Sequence, residues 1–183
     1  MQPELKKGSL LLGFALFLLC FIGVLFETGP FVVIVSHFLP GFAYSLLLLH
    51  YSEYNETISN KFFFIVLSSV IYIVCVLFID LNSDVRIITS IKMIIAASLG
   101  AVLLKACYDH FFARNLKTNS TFILPLIGGA LASLPSAICL YFLNNTGVED
   151  TLIQMLLYTG IFSIFPLWLY LFSIQVVRTD HGD

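Results

Sequence analysis

Residues 31–51 read FVVIVSHFLPGFAYSLLLLHY. A helix rises about 1.5 Å per residue and the hydrocarbon core of a bilayer is about 30 Å thick, so a run of about 20 apolar residues crosses it. This stretch is that long and carries no Asp, Glu, Lys or Arg, so it reads as a membrane-spanning helix. Two features interrupt it. His37 and His50 stand near its ends, and Pro40-Gly41 sits between them. Proline removes a backbone donor and crowds the preceding turn, and a neighbouring glycine eases the bend. In lipid the freed carbonyl must find a partner within the protein or in a wet cavity. The bend therefore reads either as a packing kink or as a helix opened beside a binding cavity with His37 in its wall. His50 falls at the span's end, where the interface satisfies it.

The same pattern recurs outward from this stretch. Apolar runs occupy about 8–26, 30–50, 61–80, 85–108, 121–143 and 151–176. They are continuous rather than alternating, which excludes a strand barrel. The expected fold is all-α: a bundle of six transmembrane helices forming a single transmembrane domain over 1–183. Composition agrees, with 59% hydrophobic and 11% charged residues, against about 25% charged in soluble domains. A water-facing surface cannot be built from so few charges, so the bilayer is the first partner expected. The run after Lys6-Lys7 is longer than a signal-peptide core and lacks an A-x-A site, so it reads as a retained span.

The breaks carry helix-ending chemistry. Gly29-Pro30 is expected to stop one helix and start the next, and Asp150 to cap the sixth span. Asn82-Ser83-Asp84 and Thr118-Asn119-Ser120 offer further caps. Lys and Arg set orientation. With the N-terminus inside, the inner segments hold six (Lys6, Lys7, Lys61, Arg114, Lys117, Arg178) and the outer segments one, Arg86. Both termini are expected in the cytoplasm, most simply of a plasma or inner membrane.

Several chemistries lack their residues. Net charge is −2 with no basic tract, so no nucleic-acid partner is expected. The four cysteines stand singly in apolar runs and read as buried hydrophobes. No HExxH, GxGD or GxxxxGK[ST] motif occurs, the histidines are scattered, and no cofactor or metal is expected. The loops are too short for a soluble catalytic domain, so an intramembrane enzyme ranks third among the function classes.

Two constellations remain. Lys92 lies too deep in the fourth run for a simple flanking charge, on a stripe with Ala96 and Gly100. Small residues mark helix contact faces, so Lys92 is expected to face the bundle and to meet His37 and the carboxylates at the outer span ends, Asp80 and Glu27. That cluster reads as a polar outward-facing pocket or as a structural ion pair; snorkelling to lipid is the rival. In the fifth run, Gly128, Ala132 and Ser136 recur at helical spacing, with Gly129 and Ser133 beside them. This face is expected to pack a helix closely or to dock another subunit. Two functions follow: a small-solute transporter or its substrate-binding membrane subunit, or a non-catalytic assembly subunit docking a membrane protein or a second copy.

Overall fold

The structure, a computed structural model, describes residues 2–51, 57–80, 86–112, 122–145 and 150–179. The described residues are all-helical. They form eight helices: α1 (Gln2–Leu25), α2 (Gly29–His37), α3 (Leu39–Tyr51), α4 (Ile58–Asp80), α5 (Arg86–Phe112), α6 (Ile123–Asn145), α7 (Thr151–Phe162) and α8 (Ile164–Thr179). They make six stretches long and apolar enough to cross a membrane, because α2–α3 and α7–α8 each run on as one interrupted span. The multi-pass architecture expected from the apolar runs is therefore present.

The spans run antiparallel, and each packs on its neighbours in the chain. The sixth closes the ring by returning to the first, α8 against α1. We call the end of the bundle with Glu27, Asp80 and Asp150 upper, and the end where the chain begins and α8 finishes lower. Two glycines fix the closest crossings. A Cβ on Gly13 would lie 2.4 Å from the Pro166 Cα of α8, and one on Gly129 would lie 2.5 Å from the Ala97 oxygen of α5. No side chain fits at either, so backbone meets backbone.

Helix ends follow local chemistry. Asp150 Oδ1 accepts from the Leu152 N–H at 2.8 Å, the cap expected of it. The end of α1 differs from expectation. Glu27, rather than Gly29, adopts the left-handed conformation, at φ 54°. The Thr28 N–H reaches the Gly23 oxygen at 2.9 Å and the Glu27 N–H reaches Val24 at 3.0 Å, the paired bonds of a glycine-type C-cap. Gly29 instead opens α2, with Pro30 in its first turn. Two boundaries also move. The first span's helix begins before Lys6, and α5 runs a full turn past 108, taking in Asp109. The candidate caps at 82–84 and 118–120 lie outside the described residues.

The lower half is the densely packed part. Tyr44, Leu48, Phe64, Tyr108, Phe112 and Phe172 are buried there in one cluster. Phe64 meets Phe112 edge-on at 5.1 Å between ring centres, a favoured aromatic geometry.

Candidate solute cavity

The opening stretch does break. α2 ends at His37, Phe38 is stretched to φ −113° while its N–H still reaches the Ile34 oxygen at 3.1 Å, and α3 begins at Leu39. Pro40 has no N–H, so the carbonyl one turn back, Ser36, loses its helical donor. A donor from another span replaces it: the Tyr72 hydroxyl of α4 bonds Ser36 oxygen at 2.8 Å. Gly41 lets the two spans come that close, since a Cβ there would lie 2.7 Å from the Tyr72 Cβ. The kink is thus held by a side chain from outside its own helix.

A second break faces the first. α7 ends at Phe162 and α8 starts at Ile164, just ahead of Pro166. Around it the Gly160 oxygen accepts from Ser136 of α6 at 3.1 Å and from Ser163 at 2.6 Å. The Trp168 Nε1–H of α8 donates to the Ala97 oxygen of α5 at 3.2 Å. Carbonyls at both breaks accept from hydroxyls rather than facing lipid, and the indole ties α8 to α5.

Between the breaks lies a cavity of about 250 Å³. Ser36, His37, Pro40 and Gly41 form one wall, and Phe162, Phe165 and Trp168 the opposite one. Tyr72 and Cys75 of α4, with Met93, Ala96 and Gly100 of α5, close the sides. Its highest lining residues, Ile79 and Leu140, stand near the upper helix ends; Tyr44, Ser68, Leu104 and Leu169 form its lower limit. The wall is mostly apolar and aromatic. Its polar feature at the first break is Ser36 Oγ and His37 Nδ1, 2.7 Å apart. No Asp, Glu, Lys or Arg lines the cavity among the described residues.

Of the four residues expected to meet at a polar pocket, His37 lines this cavity. Lys92 does not line it; its stripe partners Ala96 and Gly100 do, while the Lys92 ammonium lies over the Phe78 ring of α4, 5.9 Å from its centre. A lysine stem can lie along apolar surface and carry its charge off the helix stripe. Glu27 is exposed on the α1–α2 turn. Asp80 closes α4, and its side chain lies outside the described residues. The small-residue face of α6 is buried within the chain: Gly128, Gly129, Ala132, Ser133 and Ser136 are all buried, with Gly129 on α5 and Ser136 bonded to α7.

Sequence reading missed Lys105. It is 1% exposed, one residue past Leu104 at the cavity's lower limit, and bonded to Asp109 one turn on. The signal was available, since Lys and Asp four apart share a helix face. Ending the span at 108 put Asp109 in a loop and hid the pair. Among the described residues no group of His, Cys, Asp and Glu could hold a metal ion. No protein-family model matches the chain, and neither does any curated protein or solved structure.

Proposed function

We propose that the protein is a membrane-embedded solute-binding subunit or carrier, and that its solute is a small uncharged ring compound with a hydrogen-bonding group. The carrying observation is the cavity between the two broken spans. Ligand pockets are mostly apolar with a few placed polar groups, and interrupted spans at mid-membrane are how many transporters build substrate sites. Tyr72, Phe165 and Trp168 offer ring faces, while Ser36 and His37 offer the polar contact. The absence of a lining charge among the described residues argues against an ionic solute. A volume near 250 Å³ falls just under the roughly 300–1,000 Å³ of drug-sized sites, which favours a single ring system.

The cavity's upper position and the packed lower half support an outward-facing state if both termini are cytoplasmic, as the six-to-one count of basic residues proposes. A labelling test in a cysteine-free background checks that orientation. A cysteine at position 147 should react from outside and one at position 55 from inside; the reverse pattern overturns it. The assembly reading has less support, because the face it would use, Gly128 to Ser136, is already buried inside the chain.

Trp168 is the chain's single tryptophan, so its fluorescence reports on the cavity. Titration of the protein in nanodiscs with 4-bromophenol, a heavy-atom quencher bearing one hydroxyl, should quench Trp168 saturably. Ala96→Leu, which fills the wall, should abolish the saturable component. Quenching that is linear, or identical in the filled variant, means partition into lipid and sinks the proposal.

A further inference from the structure

On another face of α5 the molecule carries a second hollow. Gly129 holds α6 against the backbone of Ala97 and Ser98. Above that contact lies a groove of about 300 Å³ between α5 and α6. Ser90 and Ala137 are its buried members. Ile87, Ile91, Ile138 and Phe142 form exposed rims, so the groove faces the surrounding bilayer.

Ser90 is an anomaly within the groove. Its side chain is 8% exposed, and its hydroxyl has no hydrogen-bond partner among the described residues. The other serines of these helices have partners: Ser98 bonds Ile94 oxygen at 2.8 Å, Ser133 bonds Ala130 oxygen at 2.9 Å and Ser136 bonds Gly160 oxygen of α7 at 3.1 Å. An unmade hydrogen bond is costly where no water reaches. The position narrows what could make it. Ser90 stands one turn below the start of α5 at Arg86, about 6 Å along the axis. Carbonyl oxygens of glycerolipids lie near that depth, between headgroup and hydrocarbon. Tyr141, one turn from the upper end of α6, is the groove's other polar residue; below Ser90 the groove continues as the apolar Ile94, Leu134 and Ile138. An acceptor followed by a hydrocarbon chain is the pattern that fits.

We propose that this groove is a specific site for one ester-linked glycerolipid, whose ester carbonyl accepts from Ser90 Oγ and whose acyl chain lies between α5 and α6. A glycerolipid brings the acceptor and the apolar chain in one molecule, near the depth at which Ser90 stands.

Native mass spectrometry of the delipidated protein tests the assignment with a diester phosphatidylcholine and its diether analogue of equal chain length. The native protein should retain one diester lipid about threefold better than the diether, the size of a typical side-chain hydrogen bond within a membrane. Ser90→Ala should bind both lipids alike, and Ala137→Phe, which fills the groove, should lose both. Ala137→Leu serves where the phenylalanine variant melts early. Equal retention of the two lipids by the native protein overturns the proposal. So does a diester preference that survives Ser90→Ala, or a lipid-independent dimer that Ala137→Leu dissolves.

Discussion

Lys92 and Lys105 stand on the same helix in different surroundings. Lys92, in the upper half of α5, is half-buried with its ammonium over the Phe78 ring. Lys105, in the lower half, is 1% exposed and bonded to Asp109. The surroundings differ in the same sense. The upper half contains two interrupted spans and a cavity; the lower half is filled by Phe64, Tyr108, Phe112 and Phe172. Near an interface, a long stem can carry a cation out to water or headgroups as well as over a ring. Deep in a closed bundle the cation needs a counter-charge, and the nearest place to supply one is a turn away on its own helix.

The largest expected effect tests the buried pair. Asp109→Asn leaves the Lys105 ammonium without its counter-charge and should cost about 3 kcal/mol. Lys105→Met should cost distinctly less, because the carboxylate left behind is 25% exposed and water reaches it. The double variant should recover most of the loss. Detergent melting temperatures of the four proteins decide the matter. Equal losses in the two single variants, with no recovery in the double, would break the contrast drawn between the two lysines.

That pair also marks where the sequence stopped being legible, because α5 runs past 108 to Phe112. Six spans could be read because lipid demands long apolar runs, and the break at Pro40 because proline lacks a donor. The cavity could not be read, since it arises from residues of five spans, α2 to α8, meeting in space. His37 was named for its position beside a bend, and it does line the cavity. The break at Ser163 was hidden because Pro166 sits in an otherwise uninterrupted run, and its bonds to other spans, from Ser136 of α6 to Gly160 oxygen and from Trp168 to Ala97 oxygen of α5, follow no local pattern. The α1 stop at Glu27 defeated the rule that glycine takes the left-handed position.

The boundary between the two halves runs through the contact of α6 with α5. Gly129→Leu forces a side chain into the Ala97–Ser98 backbone and should cost about 2 kcal/mol, the usual scale of overpacking. Leu126, one turn before on an exposed face, should tolerate alanine within about 0.5 kcal/mol. Matching melting temperatures for the two variants would mean that the close crossing does not hold the halves together.

A smaller effect tests whether the upper half is opened by its prolines. Tyr72→Phe removes the donor to Ser36 oxygen and should cost about 1 kcal/mol, within the range for hydrogen bonds inside membrane bundles. Pro40→Ala returns an N–H to that carbonyl. In the Pro40→Ala background, Tyr72→Phe should therefore be nearly neutral. A cycle in which the two changes simply add shows that Tyr72 does not stand in for the missing helical donor.

Lys92 should give the smallest change. Lys92→Met gives up a cation over a partly exposed ring, worth about 0.5–1 kcal/mol, and keeps a stem of similar volume. Phe78→Leu should cost about the same, and the two together little more than either alone. Because Lys92 does not line the cavity, saturable quenching of Trp168 by 4-bromophenol should be unaffected. Two results would redraw the upper half. A loss well above 1 kcal/mol that Asp80→Asn restores makes Lys92 one member of an ion pair, held as Lys105 is held. Loss of the quenching with the melting temperature intact places the Lys92 ammonium on the solute, and the uncharged-solute reading then falls with it.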